Sequence, residues 1–217
     1  MVRIELVRPS YRILSFPEDA ERFLEWVART CYKSEDRITP GSQITMCNRL
    51  IESKHESVLE HLVITVKFVI DRGVSHEFVR HRLASYTQKS TRYVNCEKKG
   101  YVFVIPPWLP EVEPGTYEYH TMPGYWPDDA GIWFQALGNS AFAYQRLLEG
   151  GWTPQQARTV LQNSLETELV VTANIREWRH ILKLRTASSA HPQFREVACP
   201  LLGDFLERSP ILFQGIQ

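Results

Sequence analysis

The chain has 217 residues, 43% hydrophobic and 23% charged, enough for one large domain whose core needs no covalent staples. Its 25 lysines and arginines are matched by 25 aspartates and glutamates. No global field therefore draws nucleic acid or a membrane surface, and any anion site has to be a local concentration of basic residues. Cys31, Cys47, Cys96 and Cys199 are scattered without CxxC or metal-ligand spacing, which favours reduced thiols over a disulfide framework. No stretch approaches the roughly 18 apolar residues of a membrane span, and the first twelve residues carry no apolar segment with a cleavage site. A soluble, cytoplasmic protein of one domain over residues 1–217 is expected.

In chain order, residues 19–32 put Phe23, Val27 and Cys31 at helical spacing, with Leu24 and Ala28 beside them. A second helix is predicted over 42–53, with Ile44, Cys47, Leu50 and Ile51 on its apolar side. In 61–71, Leu62, Ile64, Val66, Phe68 and Ile70 alternate with Val63, Thr65, Lys67 and Val69, the period of a strand with a buried face. Gly73 reads as the break after it, and 74–82 as a short helix. Residues 83–93 are polar and rich in hydroxyls, without a convincing period. A short strand is predicted over 101–105. Residues 106–129 are dense in Pro, Gly and aromatics, a connection long enough to be a lid, an interface element or an insertion.

From 130 to 149 the helical pattern returns, with Ile132, Leu137, Ala141, Tyr144 and Leu148 on one side and Gly150 and Gly151 at its end. Thr153 followed by Pro154 opens another helix. Residues 168–172 read as a strand. Asn174 with Glu177 three positions later matches a capping box for a helix to about residue 184. His191 and Pro192 start the last helix, with Phe194, Val197, Leu201 and Phe205 turned inward. Helices and strands mix without a βαβ rhythm, so the fold class is α+β.

The chemistry concentrates in residues 80–92. Arg80, His81, Arg82, Lys89 and Arg92 are interleaved with Ser85, Thr87, Ser90 and Thr91 just where an ordered element ends. Arginine forks match phosphate oxygens bidentately, and hydroxyls with free backbone N–H groups complete such a shell. By composition alone the segment is equally a solvated basic face. A nucleic-acid grip assisted by stacking on Tyr86, Tyr93 and Phe103 is a further reading. Zero net charge and the lack of any RRM, KH or helix-turn-helix pattern oppose it.

The spacing decides. Arg80, His81, Arg82, Ser85, Ser90 and Arg92 satisfy every specified position of RHRxxSxxxxSxR, the signature of the ThyX-type flavin-dependent thymidylate synthases, and the chain resembles that family over most of its length. The resemblance implies an α+β single domain with a mostly antiparallel sheet flanked by helices. It implies reductive methylation of dUMP to dTMP, with FAD as cofactor, methylenetetrahydrofolate as carbon donor and NADPH as reductant. It also implies a homotetramer whose active sites are shared between subunits, with no metal and no nucleic-acid or membrane partner. The absence of GxGxxG after any predicted strand agrees with a pyridine nucleotide that binds only transiently.

Residue by residue, the resemblance gives dUMP to Glu77, Arg80, Gln88, Lys89, Ser90, Thr91, Arg92, Arg158 and Arg185. It gives FAD to His55, Ser57, Arg80, His81, Arg82, Gln88, Asn174, Arg176 and His180. Arg185 resembles the arginine that touches uracil and favours ionisation at its N3, a catalytic role. Taken alone, Arg158 is a polar residue on a helix, Asn174 an N-cap, His180 a surface histidine and Arg185 a cation at a helix C-terminus. The cluster His55, Glu56, Glu60 and His61 offers metal ligands, but not at HExxH spacing. Glu77 and Gln88 stand where some relatives have Gln and Glu, and His180 where many have Asn. None of the four cysteines sits in a basic, exposed motif that would lower its pKa.

Overall fold

A computed structural model describes residues 2–120 and 128–216. Among them the element order is β1 (Val2–Val7), β2 (Ser10–Ser15), α1 (Ala20–Thr30), α2 (Ser42–Glu52), β3 (Val63–Asp71), α3 (Arg72–Phe78), β4 (Ala84–Gln88), α4 (Cys96–Lys99), β5 (Tyr101–Val104), β6 (Gly115–Tyr119), α5 (Asp129–Glu149), α6 (Pro154–Ala157), β7 (Glu166–Asn174), α7 (Ile175–Thr186), α8 (Pro192–Arg208) and α9 (Pro210–Phe213). The fold is α+β, as expected. Short 3₁₀ turns occupy Glu35–Arg37, Glu56–His61 and Arg158–Val160. The strands form a three-stranded sheet of order β5-β1-β6 and a four-stranded sheet of order β2-β3-β7-β4. The chain divides into two compact units. One comprises Met1–Ser10, Phe68–Arg80 and Thr87–Leu169, and the other Tyr11–Lys67, His81–Tyr86 and Val170–Gln217.

In the first unit, β1 runs parallel to β5, with Leu6 opposite Phe103, and antiparallel to β6, with Ile4 opposite Tyr117. Alternation sends Val2, Ile4 and Leu6 inward. They join Phe103 and Ile105 in a core that Leu137, Ala141 and Tyr144 of α5 complete. In the second unit, Trp178 of α7 is fully buried and donates its indole N–H to the Ile64 carbonyl at 3.0 Å. Its ring meets Phe205 edge-on at 5.6 Å, and Phe205 in turn lies 4.8 Å from Phe213. This ladder of rings joins α7, α8 and α9.

Several expectations need correction. On α1 the buried apolar side is Ala20, Leu24 and Ala28, whereas Phe23 and Cys31 are exposed. Ile44 on α2 and Ile132 on α5 are likewise exposed. In each case an apolar residue one step off the true face was counted into it. Gly73 does not break the chain; it lies within the first turn of α3. The Asp71 carboxylate accepts the Val74 N–H at 2.9 Å, and a Cβ on Gly73 would stand 2.9 Å from that same carboxylate oxygen. Glycine is what lets the cap close. Residues 83–93 contain the strand β4, whose polar outer face hid its period, and 106–129 contain β6. Residues 121–127 of that connection lie outside the described residues.

Gly138 presents the tightest constraint among the described glycines. It lies on α5 beneath the Tyr119 ring, where a Cβ would come within 2.1 Å of Cδ2. The Tyr119 hydroxyl is tied to Asn139 Oδ1 at 2.7 Å, so the ring cannot swing aside without losing a bond. Gly138→Ala should lower the melting temperature by several degrees, because overpacking of about 1–3 kcal/mol exceeds the gain of about 1 kcal/mol in helix propensity. Calorimetry of the two proteins checks this.

Candidate active site

All the residues expected at dUMP except Arg185 belong to the first unit. The 3₁₀ turn after α6 carries Arg158, whose Nη1 donates to Thr91 Oγ1 at 3.2 Å. That bond brings together residues 67 positions apart in the chain. Thr91 is buried, Arg92 is exposed, and Ser90 accepts the Arg92 backbone N–H on its hydroxyl at 3.3 Å. The Ser90 carbonyl also receives the N–H groups of Tyr93 and Val94, so 90–94 is a tight turn. The Arg92 guanidinium lies over the Tyr93 ring at 5.3 Å. Arg80 is exposed and Glu77 half-buried.

Gln88 donates its amide to Ser75 Oγ at 2.9 Å and to Thr167 Oγ1 at 3.2 Å. Ser75 in turn donates to the Arg72 carbonyl at 2.9 Å. An ionised glutamate at 88 has no proton to give, so this chain's glutamine is matched to a Ser75 hydroxyl whose own proton is committed to the Arg72 carbonyl. Lys89 is pinned twice, by its N–H on the Glu168 carbonyl at 2.9 Å and by its ammonium on Glu166 at 2.5 Å. Sequence reasoning passed over Ser75, Glu166 and Thr167, which belong to a helix and a strand without any motif of their own.

The second unit holds Arg185 and the residues expected at FAD, apart from Arg80 and Gln88. His81 is buried. Its Nε2 accepts the Arg185 Nε–H at 3.1 Å, and its Nδ1 lies 3.8 Å from Glu177. The Tyr86 hydroxyl donates to the His81 carbonyl at 2.6 Å. Burial, then the charges of Arg185 and His180, push the His81 pKa down to about 4. Burial pushes the Glu177 carboxyl up. Arg185 packs its guanidinium on the Phe194 ring at 4.6 Å, a cation–π contact that fixes its plane. Phe194 and Glu177 were read as core and cap residues only.

The ligand atoms of His81, Glu177 and His180 lie within 4.8 Å of one another. The spacing suits a cation, yet Arg185 already occupies one His81 nitrogen and sets positive charge against the cluster. Asn174 caps α7 by accepting the Glu177 N–H at 2.8 Å. Arg176, one turn from His180, reaches Glu56 at 3.3 Å and Glu60 at 2.5 Å. Two acids of the apparent metal cluster are thus the partners of an arginine.

A cleft of about 810 Å³ opens beside these residues, lined by His55, Ser57 and Arg176 together with Arg29, Lys33, Arg37, Arg49 and Lys54. A second, of about 470 Å³, is lined by Arg176, His180 and Lys183. Both sizes lie in the range of small-ligand sites. Asp36 and Glu56 also line the larger, but its basic residues outnumber them and suit a cofactor that carries a pyrophosphate. Arg82 is exposed and lines neither of these two clefts. No helix among the described residues is long and apolar enough to cross a membrane.

Residues 12–211 match the family model described as thymidylate synthase complementing protein. A flavin-dependent thymidylate synthase of Corynebacterium aurimucosum is 30% identical, over 90% of this chain and 79% of its own. Another from Geobacter sulfurreducens is 30% identical, over 93% and 84%. A crystal structure of a UMP/dUMP methylase, PolB from Streptomyces cacaoi bound with 5-Br dUMP, superposes with a TM-score of 0.78 at 27% identity, over 97% of this chain and 95% of that one. The chain therefore belongs to the thymidylate synthase complementing protein family, that of the flavin-dependent thymidylate synthases.

Proposed function

We propose that this protein is an FAD-dependent enzyme that methylates dUMP to dTMP, with methylenetetrahydrofolate as carbon donor and NADPH as reductant. The observation that carries the reading is the Arg158–Thr91 hydrogen bond, which adds a distant guanidinium to the Ser90–Arg92 turn and so supports an anion site suited to a nucleotide phosphate. The homotetramer, the single domain over residues 1–217 and the cytoplasmic location belong to the same family reading. Relatives named flavin-dependent thymidylate synthases support the flavin, and the dUMP methylase bound to 5-Br dUMP supports the nucleotide.

Ser90, Arg92 and Arg158 hold the phosphate and sugar, with Glu77, Arg80, Gln88, Lys89 and Thr91 completing the dUMP site. His55, Ser57, Arg176, His81, Arg82, Asn174 and His180 serve FAD, with Arg80 and Gln88 at both ligands. His55, Ser57 and Arg176 would hold FAD at the basic cleft, and the reduced flavin would supply hydride chemistry there. Arg185 polarises the base. Its guanidinium, oriented by His81 and Phe194, stabilises negative charge developing on the ring without having to reorganise first. His81 must be neutral at Nε2 to accept from Arg185, and its lowered pKa keeps it so at neutral pH.

The absorbance spectrum of the purified protein tests the whole reading. A visible flavin band that shifts when dUMP is added is expected, and a protein that takes up no FAD would overturn it. In single-turnover kinetics, Arg185→Ala should slow dTMP formation about 100- to 1000-fold, the usual effect of losing one preorganised donor.

Stability should also carry a His81 signature. The folded histidine resists protonation down to about pH 4, whereas the unfolded one titrates at its ordinary 6.5. Its contribution is therefore complete above 6.5 and declines as pH falls through that window. Glu177, raised by burial, works in the opposite direction at the acid end. Urea denaturation of the wild type minus that of His81→Gln should isolate the histidine term as a difference that shrinks from pH 7 to pH 4.

A further inference from the structure

Arg72 begins α3 with its main chain held on both sides. Its N–H is shared between the carbonyls of Asn163 (2.9 Å) and Leu165 (3.1 Å), and its own carbonyl accepts the Ser75 hydroxyl. The guanidinium has no such anchor. Its Nη1 is withdrawn from solvent and has no hydrogen-bond partner among the described residues. A charged donor left in that condition is costly.

The neighbouring charges sharpen the problem. Burial and then the positive charge of Arg158 hold Arg72 below its ordinary range. Arg72, Lys89 and Glu166 all act on the buried Cys96 thiol, so they share one neighbourhood. Glu166, the carboxylate there, is already taken by Lys89 at 2.5 Å. Arg158 spends one N–H on Thr91, and its side chain is otherwise exposed. Three cations around one engaged carboxylate leave an excess that matches a dianion. Two guanidinium groups, one half-buried and one exposed, with a hydroxyl beside them, are the donor set for a phosphate monoester.

We propose that Arg72 is a phosphate-binding residue, forming with Arg158 a clamp on the dianionic phosphate of the nucleotide substrate. This rests on the reading of Ser90, Arg92 and Arg158 as the phosphate site, and adds a residue from outside the RHRxxSxxxxSxR motif. The cost of holding Arg72 unpaired is recovered when the nucleotide arrives, so affinity for phosphate is built into the empty fold.

Calorimetric titration of the purified protein with dUMP, deoxyuridine and inorganic phosphate, alongside melting curves, provides the test. Arg72→Met should weaken dUMP about 10- to 100-fold, the loss of one hydrogen bond to a charged group. It should also weaken the competition of inorganic phosphate against dUMP and leave deoxyuridine within about twofold. Without ligand, this variant should melt no lower than the wild type, since an unpaired buried charge has gone. Arg72→Lys, which keeps the charge but not the fork, should fall between the two and serves if the methionine variant does not fold. Equal weakening of dUMP and deoxyuridine would make Arg72 merely structural and overturn the proposal. If Arg158→Met weakens dUMP while both Arg72 variants bind it like the wild type, the phosphate site stands and the role of Arg72 falls. A wild type that does not bind dUMP would instead defeat the underlying reading.

Discussion

An arginine keeps its charge at every pH a folded protein meets, so each guanidinium that folding draws out of water must be given an acceptor, an anion or an aromatic face. Much of this chain's organisation follows from that constraint. Arg29 is satisfied by Glu25 one turn earlier on α1, and Arg179 by the carbonyls of Leu212 and Gln214. Arg176 spans Glu56 and Glu60. Arg185 donates to the neutral His81 and packs on the Phe194 ring. Among the described residues, Arg158 donates to a threonine and Arg72 leaves one nitrogen without a hydrogen-bond partner. The series runs from paired guanidinium groups to one with an unpartnered nitrogen, and Arg158 reaches the turn at residues 90–94 through Thr91.

Zero net charge gives this pattern its meaning. With acids and bases equal in number, a cationic site arises where bases concentrate and the nearby carboxylates are engaged. Glu166 goes to Lys89, and Glu56 and Glu60 to Arg176. Burial raises the pKa of Glu177, whose carboxylate lies 3.8 Å from His81 Nδ1. Local positive potential thus comes from clustered bases whose neighbouring acids are already engaged.

What could be read from the residues follows the strength of the local signal. The alternation of Ile64, Val66, Phe68 and Ile70 was legible because β3 is buried at every second residue, and α8 because four large apolar residues share one face. The strand β4 was not, since its inward positions are Ala84, Tyr86 and Gln88, and Gln88 is held there by hydroxyls from α3 and β7 that no local period encodes. Phe23 misled because one face of α1 is formed partly by the buried pair Glu25 and Arg29, an ion pair that reads as surface in any hydrophobic pattern. The motif arginines stood out through fixed spacing. Arg72 carries no motif, and what marks it is a buried Nη1 without a hydrogen-bond partner among the described residues.

The cysteines complete the argument about chemistry. Burial pushes the Cys47 thiol up to about 12, with Glu21 and Glu25 adding to it, and burial likewise raises Cys96 even though Lys89 and Arg72 pull the other way. In the basic neighbourhood of the first unit, where a thiolate would find its best support, desolvation wins over charge and leaves Cys96 protonated. The cations there are consequently not employed in making a nucleophile. On the function proposed above they serve an anion that comes from outside, with Arg158 holding Thr91 and Arg72 Nη1 left without a partner among the described residues.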